Sequence, residues 1–215
     1  MGNRLIFSLV AALMLIPAQL SASDDDCNRI SLNGTLTSSD SYSLDVAYHY
    51  MICRYVGIGG SFGYWSNYYE DGWASGRNWN IDDDDNKPSN YYLRPSMIFK
   101  SPGVRCRDTY WSIYVEPGLM LNVPYQRVCI ESFPNWHETQ YHYISTTKGQ
   151  WFATDLRIGI CLNCGPFGLS AGYMVSNLDI YSQYRHLSYR GVSFKNFYPE
   201  KPVMRGAYLS LFCKF

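Results

Sequence analysis

The stretch GAYLSLFCKF, residues 206–215, places Ala207, Leu209, Leu211, Cys213 and Phe215 in an unbroken apolar row at every second position. Alternation of that period is a β-strand with one oily face. Chain ends usually fray and are polar unless something ties them down. This stretch is therefore expected to be held in a sheet rather than to trail into solvent.

Working back from it, no segment after the first two dozen residues sustains a 3.6-residue apolar period, while alternating runs recur between Gly, Pro, Asn and Asp clusters. The runs are Asn28 to Leu36, Tyr42 to Ile52, Val56 to Trp65, Asn90 to Lys100, Thr109 to Leu121, Gln150 to Leu162, Phe167 to Tyr181 and the final strand. Their connections sort by length. Those around Cys53–Arg54, SPGVRCRD and NCGP are short, whereas residues 66–89, 122–149 and 182–203 are long, and only the first long-side connection, TSSDS, is brief. The pattern predicts an all-β, eight-stranded antiparallel transmembrane up-and-down β-barrel, with turns at one membrane surface and loops at the other. A secreted sandwich or lipocalin-like barrel is the alternative, because alternation alone does not separate an oily exterior from an oily core. The faces opposite the apolar rows favour the membrane barrel: they carry Gly, Ser, Ala, Tyr and a few charges, which suits a narrow polar lumen.

Residues 1–22 read as a secretory signal, with Arg4, an apolar run from Leu5 to Leu20 and small residues at Ser21, Ala22 and Ser23. The remaining 23–215 form one barrel domain. Removing the signal leaves 17 basic and 18 acidic residues, a balance that argues against nucleic acid as a partner. A slightly negative mean hydropathy excludes a helical membrane bundle but not a barrel, whose strands alternate.

On these residues the chain resembles the small porin-like outer-membrane β-barrel proteins of diderm bacteria, similar in layout to the OmpX and OmpA-type eight-stranded barrels. The resemblance implies location in the cell outer membrane, contact with outer-membrane lipid, and insertion by the outer-membrane assembly machinery. It also implies that Ala207, Leu209, Leu211, Cys213 and Phe215 form the C-terminal assembly signal. Cys213 departs from it, since an aromatic is more usual there. No appended peptidoglycan-binding domain is expected, so that role is not implied.

Five charges fall on the faces away from lipid: Asp45, Arg94, Glu116, Asp155 and Arg157. Each lies about five to seven residues up its strand from a short turn. They are expected to share one layer as a lumenal ion-pair cluster, because isolated charges there are costly and paired ones tolerable. A plug is the expected role, and a narrow ion or solute path the alternative, since eight strands leave little room beyond side chains.

Of the seven cysteines, Cys27, Cys53, Cys106, Cys161, Cys164 and Cys213 map to the turn-side rim and Cys129 to a loop. Disulfides, free thiols and a metal site stay open for the rim, although no His accompanies it. No cofactor or metal is expected. DDDDN, residues 82–86, has Lys87 and Leu93 where a calcium loop needs Gly and Glu, so a solvated acidic loop is expected. Trp73, Trp79, Trp136, Tyr141, Tyr143 and Tyr184 offer a surface for a glycan or protein ligand; an interfacial belt is the simpler expectation. His186 and Ser188 in RHLSY resemble the H-x-S of lipid A deacylases. There the pair ends the seventh strand, where this chain has Met174, so a monomeric, non-enzymatic barrel is expected.

Overall fold

The computed structural model describes residues 27–69, 72–82, 86–107, 109–135 and 138–215. The expected secretory signal at residues 1–22, Asp83 to Asp85 and Trp136 lie outside them. Eight long strands dominate: β1 (Asn28–Thr37), β2 (Ser41–Cys53), β3 (Val56–Asn67), β4 (Ser89–Lys100), β5 (Thr109–Asn122), β6 (Phe152–Cys164), β7 (Phe167–Ser176) and β8 (Met204–Lys214). Each pairs antiparallel with its chain neighbour, β8 pairs with β1 as well as β7, and β5 pairs with β6. The sheet is a closed eight-stranded barrel. Closure leaves no strand edge to be satisfied within lipid. Backbone bonds Asn28 N to Phe215 O and Phe215 N to Asn28 O, both 3.0 Å, extend the β8–β1 seam to the rim.

Alternation decides which face meets which solvent. In β2, Ser41, Ser43, Asp45, Ala47, His49 and Met51 are buried, while Leu44, Val46, Tyr48, Tyr50 and Ile52 are exposed. The other strands repeat this, with Leu93, Ile113, Ile158 and Leu209 outside. Among the described residues, Arg205 is the one charged side chain on the outer face of the eight strands, and it stands near the long-loop end of β8. A continuous apolar belt around a closed sheet is far larger than soluble proteins tolerate. Its solvent is lipid, and this is a transmembrane barrel of the outer-membrane kind. No helix among the described residues is long and apolar enough to cross a membrane. Tyr64 and Tyr91 near one end, and Tyr50, Phe99 and Trp111 near the other, give the belt an aromatic edge on both sides.

All long connections leave the same end, and they are not irregular. Gln126–Asn135 and Glu138–Thr146 form a hairpin that joins Trp79–Ile81 and Ser75–Gly76 in a four-stranded sheet outside the barrel. Alternation in RVCIESF and TQYHYIS signals this hairpin. The seventh strand stops at Ser176 rather than Tyr181, because Ser176 Oγ accepts from Leu178 N at 3.1 Å and Asn177 Oδ1 accepts from Thr154 N at 2.7 Å, turning the chain inward. Leu178, Ile180 and Tyr181 then enter a loop core instead of a strand.

Candidate functional site

The structure brings Asp45, Arg94, Glu116, Asp155 and Arg157 into one buried chain of charge across the lumen. Arg94 Nη1 pairs with Glu116, and Arg94 Nε lies 2.8 Å from Asp155 Oδ1. Arg157 Nη2 lies 2.7 Å from Asp45 Oδ2, and its Nε is 3.7 Å from Asp155. The order is therefore Glu116, Arg94, Asp155, Arg157, Asp45, alternating in sign. Asn33 Nδ2 and Tyr92 Oη complete Asp45 at 2.5 and 2.9 Å, and His49 Nε2 sits 2.8 Å from Ser96 Oγ and 3.8 Å from Glu116. Sequence reasoning missed these neutral partners. Asn33 and Tyr92 are recoverable in hindsight, since Asn33 lies opposite Asp45 in register and Tyr92 shares the lumen face of Arg94.

Two local features make room for the layer. A Cβ at Gly118 would run into the Arg94 guanidinium and the Asp155 carboxylate, and one at Gly63 would meet Tyr92 and Asp45. The β4–β5 ladder is also interrupted on both sides of its partners Ser96/Gly118, towards Leu93/Leu121 where Pro95 lacks a backbone donor and towards Phe99/Val115 where Pro117 does. Arg94, in the first of these gaps, donates from Nη2 to the carbonyl of Glu116, in the second, at 3.2 Å.

Above the layer, towards the loops, a cavity of about 10 Å³ lies among Ser43, Trp65, Tyr92, Met120, Met174 and Met204, space for a single water. Above that the loops close into a cap. Trp79 stacks on Phe194 at 5.9 Å and meets Tyr189 edge-on at 5.2 Å, while Tyr184 packs on Tyr198 at 4.9 Å. Asn67 Nδ2 ties β3 to Tyr181 Oη at 3.0 Å, and Asn86 bonds both Tyr198 and the carbonyl of Gly72. The expected aromatic belt thus needs correction for the loops. Trp79 and Tyr184 are 3% and 0% exposed in the cap core, whereas Trp73, Tyr141 and Tyr143 are exposed. The membrane-edge aromatics come from the strands instead.

Leu93, the twelfth position counted from Asp82, lies in β4 on the lipid face. Met174 points into the lumen. His186 and Ser188 are both exposed, and no side-chain hydrogen bond joins them among the described residues.

Cys53, Cys106 and Cys164 are exposed thiols at the three short turns, and Cys161 is a buried thiol in the lumen. Cys161 and Cys164 share β6 three positions apart, roughly 10 Å along a strand, too far for a disulfide. Cys213 lies opposite Ile30 and Phe167 in register. Beside Cys213, Ala207, Leu209 and Leu211 face lipid along β8, and Phe215 closes the seam. Among the described residues, no group of His, Cys, Asp and Glu is arranged to hold a metal ion.

No family model and no curated protein matches the chain. Among solved structures it is similar to a major outer membrane protein from Thermus thermophilus, at 11% identity and a TM-score of 0.49, covering 87% of this chain and 98% of that one. It is similar to Neisserial surface protein A at 13% identity and a TM-score of 0.44, covering 87% and 94%. It is also similar to the N-terminal β-barrel domain of Pseudomonas aeruginosa OprF at 12% identity and a TM-score of 0.41, covering 87% and 96%.

Proposed function

We propose that this barrel is a non-conducting, non-enzymatic surface-interaction protein, whose folded loop cap binds an extended segment of a partner polypeptide outside the cell. The observation that carries the reading is the edge of the cap sheet. Among the described residues, Glu138–Thr146 is laddered on one side only, to Gln126–Asn135, and ends the sheet's strand order. Tyr141 and Tyr143 stand 58% and 60% exposed along it. Sheet edges are commonly blunted with Lys, Pro or very short strands. This one has nine residues with no Lys and no Pro, which suits strand addition with aromatic side contacts. The lumen layer, the small cavity above it and the packed cap support a plug rather than a path. The separation of exposed His186 and Ser188 from the charged layer supports a non-enzymatic reading.

The test is adhesion of whole cells carrying the barrel to immobilised extracellular glycoproteins. Cells carrying Tyr141→Lys with Tyr143→Lys, at equal surface amount and equal heat-modifiability, are expected to fall to the level of cells without the barrel. Binding by the double variant equal to that of the parent would overturn the reading.

A further inference from the structure

Of the seven methionines, Met1 and Met14 fall in the expected secretory signal, and three of the other five come together in the lumen. Met120 on β5, Met174 on β7 and Met204 on β8 are all buried, and all line the cavity of about 10 Å³ between the charged layer and the loop cap. Register brings them there. Met120 stands opposite Ala153, Met174 opposite Gly206 and Met204 opposite Ser176, small cross-strand partners that leave the long side chains room on the lumen face. Met174 and Met204 are diagonal neighbours on the β7–β8 pair. Ser176 Oγ lies 3.9 Å from Met120 Sδ, so the β5 methionine reaches across to that pair, and Ser41 Oγ lies 3.7 Å from Met204 Sδ.

Methionine fills irregular gaps better than other side chains because it is unbranched and flexible. Here three of them enclose a space instead of closing it. A thioether is a weak acceptor for ordinary donors, but it is a soft ligand of the kind that selects copper(I), whereas calcium and magnesium take oxygen ligands. The charge beside the cavity has the matching sign. The layer below carries three carboxylates, Asp45, Glu116 and Asp155, against two guanidiniums. Arg157 also lines the cavity, but it is held by Asp45 and Asp155. Arg29, Lys100 and Lys214 lie on the far side of the layer, towards the short turns. A monovalent cation balances the layer's excess of one negative charge, and an anion would add to it.

We propose that Met120, Met174 and Met204 form a three-thioether site for copper(I), held between the charged layer and the cap. The cavity has space for one water-sized occupant, and an ion stripped of its water by three sulfurs is no larger. The site makes no use of the exposed edge of the cap sheet, and it stands or falls separately from the role proposed for that edge.

The experiment uses silver(I), a soft monovalent probe that air does not oxidise, and reads the isotope-labelled methionine methyl resonances of the full-length barrel in maltoside micelles. Silver is present while the barrel refolds, so that entry past the cap does not limit binding, and it is raised beyond saturation of the cysteine thiols. The resonances of Met120, Met174 and Met204, assigned from single Met→Leu variants, are expected to move together and saturate. Those of Met97 on the lipid face and Met51 near the short turns are expected to stay in place. Met120→Leu nearly conserves volume and so keeps the barrel folded. It is expected to weaken silver binding at Met174 and Met204 about tenfold or more, since even the loss of a group that only supports a ligand costs about that much. Three resonances that do not move, or that move no more than that of Met97, would overturn the site. Unchanged affinity at Met174 and Met204 in Met120→Leu would overturn it as well.

Discussion

Arg94 is the residue on which the lumen depends most. It holds Glu116 and Asp155 together and reaches a carbonyl in the proline-interrupted part of the β4–β5 ladder. Removing one member of a buried charge network leaves its partners uncompensated, at about 3–5 kcal/mol. Arg94→Gln is thus expected to lower the stability of the barrel in lipid vesicles by that amount in urea unfolding. Asp155→Asn made alongside it should recover part of the loss, because one stranded carboxylate is gone. Additive losses in the double variant would deny the coupling. At this scale the sequence was informative, since period-two alternation and distance from the short turns put the five charges on one face at one height. Asn33, Tyr92 and His49 were not singled out, because a neutral polar residue on a lumen face is ordinary until register shows what stands beside it.

Strand β8 shows what the two faces are worth. Leu211 is 43% exposed and lies opposite Leu32 and Leu169, while neighbouring Ser210 points inward, pairs in register with Asn33 and has no hydrogen-bond partner for its hydroxyl. Asn33 in turn bonds Asp45, so the inward face of β8 here borders the charged layer, while Leu211 stands on the other face within the apolar belt. Leu211→Arg is therefore expected to cost about 2–4 kcal/mol in vesicle unfolding. Ser210→Ala, one position away, should change stability by less than about 0.5 kcal/mol. Equal effects from the two would contradict the assignment of faces. The strands themselves were legible because each is long, alternating and bounded by turn residues. Their ends were less so: β7 gives way at Ser176 to side-chain hydrogen bonds that periodicity does not encode. The cap hairpin is harder to read, because its alternation lies inside a segment rich in charged and polar residues.

Across the whole molecule, two packed layers lie in series, the charged layer inside the barrel and the aromatic cap above it. They differ in how they are held. The layer is locked by charge inside the closed barrel, whereas the cap is held by apolar packing around Trp79, between Phe194 and Tyr189, in a hydrophobic cluster that continues into the lumen through Trp65, Met120 and Met174. Trp79→Ala removes a buried aromatic of the kind whose loss costs about 3–5 kcal/mol. The variant is expected to lose resistance of its outer loops to added protease on intact cells, while its shift in gel mobility on boiling stays unchanged, because the barrel ladder is untouched. If the charged layer is the plug, the same variant in planar bilayers should show no steady current step, as the parent should not. Conductance from Trp79→Ala alone would move the closure from the ion pairs to the cap. It would also make movement of the outer loops, rather than rupture of buried ion pairs, the event that opens the barrel.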